Sequence, residues 1–149
     1  MIEAVHPQPP DWERQRVRND DSIVLRLRYR QVEFWLTGDA GGEFERRHVF
    51  EAGAAPIRVL KVGHHGSRTS TSDALVEGVR PQIAVISAGR NNLFGHPAPE
   101  VVRRLGEAGA AVFRTDRDGA IAIETDGATV LVRTARGRSL SYGVSRRGA

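Results

Sequence analysis

Two periods of apolar positions alternate along this chain. In residues 22–29, Ile23, Leu25, Leu27 and Tyr29 fall on one side and Arg26 and Arg28 on the other, the period-2 pattern of a half-buried strand. Residues 32–36 follow after a short turn and complete a hairpin. Acids open the segment 43–51, as a helix dipole favours, and predict a short helix. The largely apolar run 57–62 reads as a buried strand. Ser72 is a good N-cap for a helix over 73–78 that turns Leu75, Val76 and Val79 inward, and Pro81 ends it. Residues 83–87 predict another strand, and 100–108 an amphipathic helix with Val101, Val102 and Leu105 on its inner face. Strands over 111–114, 120–124 and 129–132 close the pattern, the last two joined by an Asp126-Gly127 turn. Residues 1–21 show neither period and read as an extended lead-in. The order ββαβαβαβββ predicts an α/β fold, a mixed sheet with helices on one face.

Three polar loops follow the second, third and fourth of these strands, and in α/β sheets ligand groups gather beyond the carboxyl ends of strands. The first loop, Thr37-Gly38-Asp39-Ala40-Gly41-Gly42, presents one carboxylate, which is either a turn former or a metal ligand. The second, Lys61-Val62-Gly63-His64-His65-Gly66-Ser67, crowds two imidazoles between glycines. In an extended backbone adjacent side chains diverge, so one histidine would reach a metal and the other face substrate. The hydroxyls of Ser67, Thr69, Ser70 and Thr71 either bind a phosphate or cap the next helix, and Lys61 can offset anionic charge at the same rim. The third loop holds Asn91, Asn92 and Gly95-His96-Pro97, a rigid frame for an imidazole acting as proton donor, phosphate ligand or support for such groups. His6 and His48 read as structural or surface residues.

Composition narrows the chemistry. With no cysteine, thiolate sites and disulfides are excluded, so a metal must use histidine and carboxylate ligands. No Gly-x-Ser-x-Gly elbow supports a serine hydrolase, and no Gly-x4-Gly-Lys-Ser/Thr run supports a phosphate loop. The 149 residues are one domain's worth, and no apolar run approaches the roughly 18 residues that cross a bilayer, so the chain as it stands is expected to be soluble. Its net charge of +4 is concentrated at the end: residues 133–149 carry Arg133, Arg136, Arg138, Arg146 and Arg147 and no acid. That segment reads as a basic, flexible tail, either solvated or binding phosphates.

Four segments in order, Asn19-Asp20-Asp21-Ser22-Ile23-Val24-Leu25, Leu36-Thr37-Gly38-Asp39, Leu60-Lys61-Val62-Gly63-His64-His65-Gly66-Ser67-Arg68-Thr69-Ser70 and Asn91-Asn92-Leu93-Phe94-Gly95-His96-Pro97, resemble the metallo-β-lactamase-fold domain at the carboxyl end of the ComEC family of bacterial competence proteins. The resemblance covers residues 2–132 and implies the carboxyl-terminal half of an αβ/βα sandwich, with 22–132 as its body. It implies a hydrolase binding one or two zinc or manganese ions and acting on DNA, as a single strand, during natural transformation. Other phosphoesterases of the same fold, or an inert half serving as an interaction module, are the alternatives. By position, Asp39 matches a metal-bridging carboxylate and His65, directly before a glycine, a metal ligand; His64 and His96 would then act on the phosphate. The superfamily's His-x-His-x-Asp-His motif is absent. The resemblance therefore implies completion by an amino-terminal half, a membrane-channel region or a second copy, in a parent attached to the bacterial inner membrane. It also implies that a face of the sheet is left uncovered here.

Overall fold

The period-2 segments pair into one six-stranded sheet. In the computed structural model, which describes residues 1–7, 18–48, 50 and 53–144, the strands are β1 (Ile2–His6), β2 (Val24–Tyr29), β3 (Val32–Leu36), β4 (Ile57–Lys61), β5 (Ile83–Ile86) and β6 (Ala111–Arg114), side by side in that order. The pairs β1–β2 and β2–β3 are antiparallel, while β3–β4, β4–β5 and β5–β6 are parallel, which makes the sheet mixed as expected. Helices α1 (Gly42–Arg47), α2 (Asp73–Val79) and α3 (Pro99–Glu107) supply the crossovers between the parallel strands. All three pack on one face: Phe44, Leu75, Val76, Val79, Val101 and Leu105 share a core with Val24, Trp35, Leu60, Ala84 and Ile86 of the sheet. Ser72 caps α2 through its Oγ, which accepts from Leu75 N at 3.4 Å.

The expectation of an uncovered second face is corrected. A one-turn helix, α4 (Thr115–Asp118), leads into a separate antiparallel sheet of β7 (Ile121–Thr125), β8 (Thr129–Thr134) and β9 (Ser139–Gly143). Its Ile121, Ile123, Val130, Val132 and Leu140 pack on Val32, Ile57, Val59, Ile83 and Phe113. Among the described residues the face is therefore closed over β3 to β6 and open at its β1–β2 end, where Ile2 is 72% and Ile23, just before β2, 63% exposed.

The two ends of the chain also differ from expectation. The lead-in contributes β1, whose register pairs Ile2 with Leu27 and Glu3 with Arg26, a partnership too distant in sequence for local periodicity to show. The segment beginning at Arg133 is not a free tail from its start. β8 runs on to Thr134, and β9 returns after a turn in which Gly137 has φ +83° and Thr134 Oγ1 accepts from Arg138 N at 3.0 Å. Arg138 lies over the Phe113 ring at 3.9 Å and Arg133 bonds Glu124 at 2.7 Å, so these two guanidiniums are engaged within the fold. Arg146 and Arg147 lie outside the described residues. Helix α1 is shorter than 43–51: His48 leaves helical geometry at φ −101°, ψ 130° and caps it through its backbone N–H to Phe44 O. Among the described residues no helix is long and apolar enough to cross a membrane.

Candidate functional site

The run after β4 forms a tight turn, Gly63–Gly66, with both central residues in left-handed backbone: His64 at φ 45°, ψ 44° and His65 at φ 56°, ψ 20°. Left-handed geometry costs a residue with a Cβ about 1–3 kcal/mol, so two in succession must be held by their surroundings. They are. His64 N donates to Gly38 O at 2.9 Å, Ser67 N to His64 O at 2.9 Å, and the buried Ser70 Oγ to Gly63 O at 2.9 Å. The glycines admit the neighbouring loops. A Cβ on Gly63 would lie 2.9 Å from Thr37 Oγ1, and one on Gly66 only 2.6 Å from Pro97 Cβ. The His turn is thus clamped between the loop after β3 and the loop after β5, and the three loops become one surface at the carboxyl ends of the parallel strands.

Because the turn is not extended, the two imidazoles do not diverge as expected. Their ring centroids are 6.5 Å apart, and His96 comes to 5.9 Å from His64. His65 Nδ1 donates to the Ser87 carbonyl at 2.8 Å; a carbonyl only accepts, so the proton sits on Nδ1 and the lone pair is left on Nε2, the form a metal or a proton can use. Asn19 Nδ2 stands 3.5 Å from His64 Nδ1, a long contact. Asn92 staples the third loop: its Nδ2 donates to Gly89 O at 2.8 Å and His96 O at 2.6 Å, and its Oδ1 accepts from His96 N at 2.8 Å. Burial, then the nearby His64, His65 and Arg68, hold the His96 pKa below the usual imidazole value. At neutral pH His96 is therefore a neutral base or ligand rather than a stored proton.

Asp39 is half-buried on the loop after β3, where its N–H donates to Ser22 Oγ at 3.1 Å and the next turn is tied down by Gly41 N donating to Asp20 Oδ1 at 2.8 Å. Burial pushes the Lys61 ammonium below the usual lysine range while the Asp39 carboxylate opposes that shift, so the two side chains feel one another. The hydroxyl cluster is mostly spent internally, Ser67 Oγ with Thr69 Oγ1 at 3.0 Å and Ser70 Oγ on Gly63 O, which favours the structural reading of those residues. A pocket of about 250 Å³ opens at the rim, lined by His65, His96, Asn92, Phe94 and residues 87–89; Asp39 and His64 lie outside it.

A zinc site needs four ligands, three of them from protein where one position stays open. Among the described residues no three His, Asp or Glu side chains converge on one point. Asp39 and His65 therefore do not form a closed zinc or manganese site by themselves, and no chemical step is routed through a metal. Sequence reasoning singled out the segments that hold Asn19, Asp20, Ser22 and Asn92 but not the supporting roles of these residues. An Asn four positions before a His in a Gly/Pro-bounded loop is the one signal that could have shown the role of Asn92; the others act through long-range contacts. His6, by contrast, is buried, bonds Asp20 O through Nε2 at 2.8 Å and packs on Phe44, a structural place.

These features define an α/β domain that gathers a carboxylate and three imidazoles on loops at the carboxyl ends of its central strands. Its relatives are proteins of bacterial competence and recombination. Over 123 residues it is 39% identical to ComE operon protein 3 of Bacillus subtilis, a match taking in 81% of this chain and 15% of that protein. It is 39% identical over 108 residues to Recombination protein 2 of Haemophilus influenzae, covering 72% of this chain and 14% of the relative. Competence protein ComA of Neisseria gonorrhoeae is 36% identical over 104 residues, 69% of this chain and 15% of the relative. No family model matches the chain. The chain thus corresponds to one segment, about 15% of the length, of the curated relatives it matches.

Proposed function

We propose that this chain is the carboxyl-terminal part of a metallo-β-lactamase-like hydrolase domain in a DNA-uptake protein of natural transformation, and that its site handles DNA phosphodiesters. The observation that carries this reading is the left-handed His64-His65 turn, clamped so that His64, His65 and His96 share one rim, in a chain 39% identical to a segment of ComE operon protein 3. Strained backbone is kept where a fold over-determines it, and such places cluster at functional sites. In this reading Asp39 and His65 would hold zinc or manganese together with ligands beyond the described residues, and the metal would supply Lewis acidity at the site. The chain's own residues do the rest: the Ser87 carbonyl fixes the His65 tautomer, Asn92 orients the His96 loop, and His64 and His96 face the phosphate.

The absence of a three-donor cluster among the described residues favours a second reading, a non-catalytic module that binds nucleic acid. Calorimetric titration of the purified chain with zinc and with manganese, beside Asp39→Ala and His65→Ala, separates the two. Tight binding of one metal, weakened at least about tenfold in each variant and accompanied by hydrolysis of a DNA strand, supports the hydrolase. DNA binding without metal binding or hydrolysis supports the module.

A further inference from the structure

The loop that carries His96 holds two large apolar side chains out in solvent: Leu93 is 99% and Phe94 81% exposed. Burying a phenylalanine is worth about 1.5–3 kcal/mol, so leaving one bare on a well-ordered loop forgoes stability. The loop is not loose. Asn92 bonds the backbone of Gly89 and of His96, fixing both ends of the short arc that bears Phe94. The Phe94 ring lies nearly parallel to the His96 imidazole, at 22° and 5.9 Å between centroids, and both line the 250 Å³ pocket with His65. That volume is below the roughly 300–1,000 Å³ of sites for drug-sized ligands, a size for one planar ring. The surroundings are cationic: Arg68 is 75% exposed and bonded only loosely to Glu100 at 3.6 Å, and Arg90 is exposed at the start of the same loop.

We infer that Phe94 is a base-stacking platform, which seats one unpaired nucleobase against the His96–His65 pocket and so makes the site selective for single-stranded nucleic acid. Aromatic faces bind bases of any sequence, and successive base–aromatic stacks contribute about 1–3 kcal/mol each. In a duplex both faces of an internal base are occupied by its neighbours, so the platform offers that substrate nothing. Arg68 and Arg90 supply the charge that tracks the flanking phosphates. The inference rests on the phosphodiester reading of the site and adds to it the residue that selects the form of the strand.

The test uses the full chain, a chelator so that binding alone is read, and three labelled probes of equal length: an oligothymidylate, the same strand with abasic linkers throughout, and a blunt duplex. Fluorescence anisotropy is expected to give the oligothymidylate at least about a fivefold tighter Kd than the abasic strand. Phe94→Ala erases that preference and leaves abasic binding unchanged, whereas Phe94→Trp keeps it. Phe94 is exposed, so its substitution leaves the unfolding midpoint in place. If the wild-type chain binds oligothymidylate and abasic strand equally, or if Phe94→Ala weakens both alike, the platform is wrong while the phosphodiester reading stands. Should the chain bind none of the three probes, either with the chelator or with manganese in its place, that reading falls and the platform with it. Loss in Phe94→Ala of binding to phosphatidylglycerol vesicles, with strand preference intact, would instead assign the loop to a membrane surface and overturn the inference.

Discussion

Gly66 shows how one residue decides whether the candidate site exists as a unit. Its φ of +80° is one that L side chains rarely adopt, and the space a Cβ would fill is taken by Pro97, whose Cβ and Cα would lie 2.6 and 3.2 Å away. Pro97 adjoins His96, and Ala98 N donates to Gly66 O at 2.8 Å, so the same contact that forbids a side chain at 66 couples the His turn to the third loop. Gly95 supplies the control, since it too has positive φ, +67°, but a Cβ there would meet nothing within 4 Å. Gly95→Ala is expected to cost only the backbone term, about 1–3 kcal/mol. Gly66→Ala is expected to cost clearly more, and to move the imidazole resonances of His64 and His96 together. Urea midpoints and proton–nitrogen spectra of the histidines check this. Equal destabilisation by the two substitutions, with unshifted His96 resonances, would show that the turn and the loop are independent.

At the scale of elements, the junction after β6 makes a pH-dependent contribution whose sign is fixed by its geometry. Asp116 accepts two hydrogen bonds from the Arg114 guanidinium, 3.0 Å from Nε and 2.6 Å from Nη2, and Asp118 Oδ2 accepts from Arg114 N at 2.7 Å. The hydrogen bond from Arg114 is the main cause that holds the Asp116 carboxyl below its usual 3.8, against a smaller opposing effect of burial. A carboxylate with a depressed folded pKa stabilises the fold above its unfolded pKa and loses that stabilisation as pH falls through the folded value. Asp116→Asn is therefore expected to cost about 1.5–3 kcal/mol at pH 7, and the gap from wild type to close as the pH drops below about 3.8. Denaturant unfolding across roughly pH 2.5–7 reads the change directly. A gap that stays constant down to the acid limit would mean the pair contributes nothing through charge. This junction was not legible in the sequence, where residues 115–118 carry no apolar period, while the helices with clear inner faces were: Leu75, Val76 and Val79, and Val101 and Leu105, are buried as their spacing implies. The same division holds in the site. His64, His65 and His96 stand out by residue type and loop position, but the left-handed backbone that brings the rings together rests in part on His64 N donating to Gly38 O, and the following segment on the buried Glu45 that accepts from Thr71 N at 2.8 Å and from Ser72 N, contacts that span 26 or 27 residues. Local pattern carries no trace of such contacts.

For the molecule as a whole, the decisive feature is the sheet β7–β9, because it determines how much of the central sheet is core. Phe113 on β6 is 1% exposed between the two sheets, with the Arg138 guanidinium of β9's approach lying over its ring. Ile2 on β1 belongs to the same face of the central sheet, since its register partner Leu27 pairs in turn with Phe34, yet it lies beyond the reach of β7–β9 and is 72% exposed. If the second sheet is an integral layer, the two positions must respond oppositely to truncation. Phe113→Ala removes buried surface on both sides of a packed interface and is expected to cost about 3–5 kcal/mol, a large share of the roughly 5–15 kcal/mol that holds a domain together. Ile2→Ala is expected to stay within about 0.5 kcal/mol, as a substitution at an exposed position away from any special contact. Urea unfolding followed by far-ultraviolet circular dichroism and by tryptophan fluorescence gives both numbers, and the two probes should share one midpoint in wild type because the same central sheet carries the cores on both of its faces. A small effect of Phe113→Ala together with separate midpoints would mean that β7–β9 is only loosely docked, and that the face beneath it, continuous with Ile2 and Leu27, is available to another partner.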